Sequence, residues 1–172
     1  MTEGNGLIKS SFFPNVTFDV IMCINGTKNS VSLWDYLSHN GLVTTFVHDG
    51  QSLINRVRIY SEPHEKTAGV TSHKNPSVAV VVFDPTIKLK KNPGHIEDYD
   101  NLSLFLGLDN GFYGGIYSVM RMKTFREGIK YVALCKDEGL GKKIRDKEFV
   151  DAYLTYDLVS RLPEVIKSLK PQ

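Results

Sequence analysis

The groups best placed to handle a ligand lie in the stretch Asp109-Asn-Gly-Phe-Tyr-Gly-Gly115, which opens a helical interval and is followed by Gly128-Ile-Lys-Tyr-Val-Ala-Leu134. An acidic side chain followed by glycines at the mouth of a helix offers a carboxylate to sugar hydroxyls. The helix N-terminus beside it offers N–H groups to phosphate or carbonyl oxygens. A buried strand just after such a helix supplies a floor. Asp109 and the glycines Gly111 and Gly115 are therefore candidate ligand contacts, with Tyr113 able to stack on a ring. Each residue also has a purely structural reading: Asp109 as a helix cap, Gly114 and Gly115 as a close-packing surface, Tyr113 and Tyr117 as core aromatics.

Other residues carry weaker chemical signals. Asn25-Gly26-Thr27, His48-Asp49-Gly50, Asp84-Pro85 and Lys136 each follow an apolar strand-like run. Ligands on parallel sheets bind at such carboxyl ends, which adds Asn25, Gly26 and Asp84 to the candidate binding set. His48, His64, His73 and His95 lack a ligand spacing such as His-x-x-x-His, so neither a metal nor a cofactor is expected. His64, Glu65 and His73 lie in a long loop that could close over a phosphate. Gly139-Leu-Gly141-Lys-Lys resembles half of a phosphate loop, without the second half. Cys23 and Cys135 lie inside apolar runs, where cysteine serves as a small buried hydrophobe.

The elements that must position these groups alternate. Val16 to Ile24 reads as a strand ended by Asn25-Gly26, and Ser30 or Ser32 can cap a short helix with Leu33, Trp34 and Leu37 as apolar positions. Leu42 to Val47 is a second strand. In Gln51 to Tyr60, Leu53, Ile54 and Val57 suit a helix, although Val57-Arg58-Ile59-Tyr60 also suits a strand; helix is the reading taken. Ser61 to Pro76 is a loop. Val78-Ala-Val-Val-Val-Phe83 is an unbroken apolar run, as a strand covered on both faces requires. Thr86 to Asp100 is polar, and Asp98 or Asp100 can cap a helical turn through Leu106. Phe112 to Phe125 is helical and Ile129 to Cys135 is a buried strand. Phe149, Val150, Tyr153 and Leu154 mark a helix beginning near Asp146, Tyr156 to Val159 a short strand, and Ser160 a cap for a last helix with Pro163 in its first turn. The expected fold is α/β: a Rossmann-like, three-layer domain on a four- or five-stranded, mainly parallel sheet spanning residues 1–172, with residues 1–15 a loose N-terminal segment.

Composition narrows the partners. The chain has 172 residues, 41% of them hydrophobic and 23% charged, with a net charge of +2, which suits one domain with a two- or three-layer core. The charges are mixed, and Lys88, Lys90 and Lys91 form the densest basic run, too little for a nucleic-acid stripe. Nucleic acid is not an expected partner. No apolar run has the roughly 18 residues of a membrane span, and the first residues lack the apolar core of a signal peptide. A cytoplasmic location and no membrane partner are expected. The triplets at Asn15, Asn25 and Asn101 match a glycosylation pattern that has meaning only in secreted proteins.

The order of a buried strand at 77–83, Asp109-Asn-Gly111 leading a helix, Gly128 before a strand, and a tail of the type Phe-Val-x-x-Tyr-Leu with Ser-x-Leu-Pro-Glu-Val-Ile-Lys-Ser-Leu resembles the nucleoside 2′-deoxyribosyltransferases. The wider group includes nucleotide N-glycosidases and is similar in fold to TIR-type domains. The resemblance covers residues 77–170. It implies that Asp109 and Gly111 match the aspartate and glycine of the family motif, and that the family's nucleophilic glutamate falls at Gly115, where a glycine opens space in place of the carboxylate. No Asp or Glu stands between Asp109 and Glu127 to replace it. The resemblance thus implies a nucleoside, nucleotide or nucleotide-derived signal as ligand, bound without the usual turnover, and a homo-oligomer as the assembly. Two alternatives remain: an active N-glycosidase or deoxyribosyltransferase using Asp84, Asp109 or Glu97 as a substitute carboxylate, and a scaffold or protein-interaction module. If Asp109 receives ligand hydroxyls, Asp109→Ala weakens binding by about 1.5 to 3 kcal/mol with stability unchanged. If it only caps a helix, stability falls by about 1 kcal/mol and affinity is untouched; paired calorimetry and denaturation separate the two.

Overall fold

The computed structural model describes residues 18–61, 78–89 and 113–171. Asp109, Gly111 and the predicted N-terminal segment lie outside the described residues, as do residues 62–76 of the expected loop with His64, Glu65 and His73, and the segment with His95, Glu97 and the turn expected near Leu106.

Apolar runs become strands here because both faces of the sheet are covered. β1 (Phe18–Cys23), β2 (Thr44–Val47), β3 (Val78–Phe83), β4 (Lys130–Cys135) and β5 (Ala152–Thr155) form one sheet in the order β2-β1-β3-β4-β5. Every adjacent pair is parallel. Val80, Val81, Val82, Phe83, Val132, Ala133 and Leu134 are fully buried on the two central strands, as their unbroken apolar character predicts. Successive side chains point to opposite faces. Ile21, Cys23, Val81, Phe83, Tyr131 and Ala133 face one layer, while Val20, Met22, Val80, Val82, Val132 and Leu134 face the other.

The helices supply those two layers. α1 (Thr27–His39) and α5 (Leu162–Leu169) cover the second face with Leu33, Leu37, Leu162 and Ile166; α2 (Gly50–Ser61), α3 (Gly114–Phe125) and α4 (Glu138–Asp146) cover the first. A 3-10 helix, Tyr156–Arg161, joins β5 to α5. The result is an α/β domain with the flavodoxin-like strand order, in which the chain turns outward in opposite directions from β1 and β3. The segment that suited either helix or strand is the helix α2, with Leu53, Ile54 and Val57 buried.

The C-terminal third departs from the sequence reading. No helix begins near Asp146; residues 152–155 are the edge strand β5, registered as Val132 with Ala152 and Cys135 with Thr155. A four-residue apolar spacing is shared by one helical turn and by two strand steps, so the pattern at Phe149, Val150, Tyr153 and Leu154 did not separate them. The helix lies earlier, as α4, capped by Asp137, whose Oδ1 accepts from the Leu140 N–H at 2.9 Å. The half phosphate loop at 139–143 is therefore helix. Gly141 is needed there because a Cβ would stand 2.2 Å from the Tyr153 ring. Tyr156 to Val159 is 3-10 helix rather than strand. It runs directly into α5, so Ser160 caps nothing. At the other end of the chain α1 starts at Thr27 behind Gly26, whose φ of 87° suits glycine, and neither Ser30 nor Ser32 is its cap. Trp34 is 39% exposed and donates its indole N–H to the Thr44 carbonyl instead of entering the core.

The glycine pair at the start of α3 does not open space. A Cβ on Gly115 would lie 2.2 Å from the Asp84 carbonyl oxygen, and one on Gly114 would lie 2.2 Å from that of Ile87. The Gly115 N–H donates to the Pro85 carbonyl at 3.1 Å, so the helix end is docked on the backbone after β3. Gly115→Ala must push that backbone away. It should cost about 1 to 3 kcal/mol, read as a lower urea midpoint; an unchanged midpoint would show that the contact relaxes freely.

Candidate functional site

A cleft of about 750 Å3 lies at the carboxyl ends of β1, β3 and β4, on the side of the sheet covered by α1 and α5. That is the crevice where the chain diverges from β1 and β3, the position at which open α/β sheets hold ligands. Its volume falls in the range of small-molecule sites. Ile24 and Asn25 enter from the end of β1, Asp84 and Thr86 from the end of β3, and Lys136 from the end of β4. Asn29, Ser32, Leu33 and Tyr36 line the α1 wall, and Tyr156 and Val159 the 3-10 wall.

Asp84 organises the floor. It is 5% exposed, so its side chain must find donors within the protein. Its Oδ1 accepts from the Thr86 N–H at 2.8 Å and from the Thr86 hydroxyl at 2.7 Å, and its Oδ2 accepts from the Tyr156 hydroxyl at 2.5 Å. The Thr86 hydroxyl oxygen in turn accepts from the Asn25 amide at 3.3 Å. Burial pushes the Tyr156 hydroxyl pKa well above its ordinary value, and the hydrogen bond to Asp84 pushes it further. A second bond closes the wall across the cleft: the Tyr36 hydroxyl donates to the Ser160 carbonyl at 2.8 Å, tying α1 to the 3-10 helix.

The predicted site residues divide into separate places. Asn25 and Asp84 line the cleft. Gly26 stands beside Asn25 as the residue preceding α1 but is not a lining residue. Tyr113 and Gly115 sit at the start of α3, and Tyr113 packs against the core on the opposite face of the sheet. Tyr117 is 8% exposed in that same core. Asp49 caps α2 by accepting from the Ser52 N–H at 2.7 Å. The exposed His48 sets its ring edge against Phe46. Among the described residues no three His, Cys, Asp or Glu side chains converge as a metal site would require.

Several lining residues escaped the sequence reading. The sequence pattern puts Tyr156 at the start of a strand, where the rule that ligands meet strand carboxyl ends does not reach it. With β5 located at Ala152–Thr155, that rule finds it at once. Asn29, Ser32 and Tyr36 follow the spacing of one helical face, legible as a polar stripe beside the buried Leu33.

No family model matches the chain, and no curated protein matches it in sequence. Solved structures match its fold. It superposes on the Legionella pneumophila response regulator LqsR with a TM-score of 0.54 and 16% identity, over 91% of this chain and 46% of that one. It superposes on a CheY-like response regulator receiver domain protein of Methanospirillum hungatei with a TM-score of 0.51 and 12% identity, over 90% of this chain and 97% of that one. The chain thus spans less than half of LqsR and nearly all of the archaeal domain. These likenesses place the fold in the class of five-stranded parallel α/β domains.

Cys23 and Cys135, both fully buried, end β1 and β4, where the sequence expects small buried hydrophobes. Burial raises both thiol pKa values, that of Cys135 from 9.0 to about 12, with Asp49 and Asp84 adding to the shift at Cys23 and Asp84 and Asp137 at Cys135. Tyr131 is raised mainly by burial as well. All four groups therefore keep their protons in the folded chain at a pH where the unfolded chain has lost them. Their contribution to stability is complete below about pH 9 and declines as pH rises through and beyond the ordinary thiol and phenol values. The urea midpoint should fall steadily above about pH 9, and less steeply in Tyr156→Phe. A midpoint independent of pH to about 11 would contradict these shifts.

Proposed function

We propose that the chain binds a nucleoside, a nucleotide or a nucleotide-derived signalling molecule in the cleft between α1 and the 3-10 helix, without cleaving its glycosidic bond by a carboxylate nucleophile. The observation that carries this reading is the cleft itself. It combines apolar lining on its walls (Ile24, Leu33, Val159), two tyrosine rings (Tyr36, Tyr156) and polar side chains at the strand ends. That mixture suits a molecule with a flat ring at one end and polar groups at the other. Large aromatic surface favours stacking, and the few polar groups fix orientation.

Two features speak for binding over turnover. The position that the deoxyribosyltransferase resemblance assigns to the nucleophile is Gly115, packed against backbone on the far side of Asp84. Asp84 is the carboxylate among the described lining residues, and both of its oxygens already accept hydrogen bonds from the protein. A group so engaged orients its neighbours; an attacking carboxylate needs a lone pair directed at the anomeric carbon. The response-regulator descriptions of the structural neighbours lend support to a signalling role, in which the ligand is the signal. Self-association, implied by the same resemblance, belongs to this proposal, and light scattering at micromolar concentration tests it against the monomer mass of 19.4 kDa.

A thermal-shift panel of nucleosides, mononucleotides, NAD-like dinucleotides and cyclic nucleotides, with base release followed by chromatography, tests the reading. Stabilisation of several degrees without free base is the expected outcome. Free base released in proportion to protein would move the case to the N-glycosidase alternative. Silence across the panel would leave the scaffold or interaction module.

A further inference from the structure

Hydrogen-bond accounting in the cleft bears on which ligand it takes. The polar groups on the floor largely satisfy one another. Asp84 has about four acceptor positions, of which the Thr86 N–H, the Thr86 hydroxyl and the Tyr156 hydroxyl fill three. The Thr86 hydroxyl spends its proton on Asp84 and accepts from Asn25, and the Tyr156 proton is spent on Asp84. A neutral sugar diol presents hydroxyl donors and would find at most one open position on this carboxylate.

Lys136 is the contrasting group. It is exposed, lines the cleft at the end of β4, and its ammonium has no hydrogen bond or ion pair with any described residue. Its ammonium offers three donors and a full charge. The charge of Asp84, by contrast, is held on internal donors. The open charge of the cleft is therefore cationic, with the neutral side chains of Asn29 and Ser32 on the α1 wall and the apolar lining of Ile24, Leu33 and Val159 in the same cleft. Resting on the reading of the cleft as a nucleoside or nucleotide site, we infer that the ligand is a phosphorylated nucleoside rather than a free one, with its phosphate at Lys136 and its base toward Ile24, Leu33 and Val159.

A charge-assisted hydrogen bond is roughly twice as strong as a neutral one, and phosphate carries about −1.5 to −2 at neutral pH. The discrimination should be readable by titration calorimetry. The probes are AMP, GMP, CMP and UMP, the four corresponding nucleosides, and inorganic phosphate, each against the wild-type chain and Lys136→Gln. The expected result is that at least one nucleotide binds about tenfold or more tightly than its own nucleoside. Lys136→Gln should collapse that ratio toward one, and Lys136→Arg should keep most of it. Added salt should weaken the nucleotide more than the nucleoside.

Three results would overturn the inference, each in a different way. A nucleoside that binds as tightly as its nucleotide leaves the cleft reading standing and removes the phosphate. Inorganic phosphate that binds as tightly as the nucleotides shows an anion site without nucleoside recognition. Absence of binding by every probe removes this inference, and the proposed function falls with it only where the dinucleotides and cyclic nucleotides of the thermal-shift panel are silent as well. Because Lys136 is exposed and unpartnered among the described residues, its variants should fold, and an unchanged melting temperature is the check.

Discussion

A carboxyl group that is 5% exposed has to be surrounded by donors, and the place where the sheet supplies them at Asp84 shapes the whole upper end of this molecule. Burying a charge without partners costs several kcal/mol, comparable to the entire stability of a domain. Two of the donors are local, from Thr86 in the turn after β3. The third is Tyr156, 72 residues further on. Its hydroxyl reaches Asp84 only if β5 pairs beside β4 and the chain then bends into the 3-10 helix. One internal bond thus fixes the tail of the chain over the centre of the sheet, and the 3-10 helix held in this way is the wall that makes a cleft out of an open sheet end. Tyr36 holds the same wall from the α1 side.

The fold was legible wherever burial on two faces leaves an unambiguous pattern. Val78 to Phe83 and Tyr131 to Cys135 have no polar interruption, and only a strand between two helical layers hides such a run completely. Short segments were less legible. Ala152 to Thr155 is a four-residue edge strand with Leu154 alone buried, so alternation has too few positions to establish a period. Trp34 misleads for a related reason: its ring looks like a core residue, yet its N–H is used on the carbonyl of Thr44 in the edge strand β2, and that bond holds the ring at the rim. Helix starts were misplaced where backbone took the role expected of side chains, as at Gly26 and at the junction of the 3-10 helix with α5.

The candidate site was legible in part, through a rule about strand ends rather than through any motif. Asn25, Asp84 and Lys136 all follow apolar runs, and the structure brings all three to one cleft. Thr86, Tyr36 and Tyr156 were out of reach because their roles depend on tertiary partners. Nothing about a tyrosine near the C-terminus announces that its hydroxyl proton belongs to an aspartate at the end of the central strand.

The candidate binding residues lie, where they are described, on two sides of the same backbone, Asn25 and Asp84 at the cleft and Tyr113 and Gly115 at the start of α3. Asp84 marks the boundary. Its side chain turns toward Tyr156 and the cleft, while its carbonyl oxygen faces Gly115 at the start of α3. A side chain at 115 would meet that carbonyl at once, so the glycine is explained by the close approach of α3 to the end of β3, whatever the chemistry of the site. The approach has a consequence for the cleft as well. With the Gly115 N–H bonded to the Pro85 carbonyl, the turn carrying Asp84 and Thr86 is anchored from behind. Anchoring from behind and donors in front together leave the carboxylate little freedom to move toward a substrate. A sheet end built in this way is suited to holding a ligand in one orientation, and the groups with freedom to respond to it are those on the rim: Lys136 at the end of β4 and the exposed polar side chains of α1.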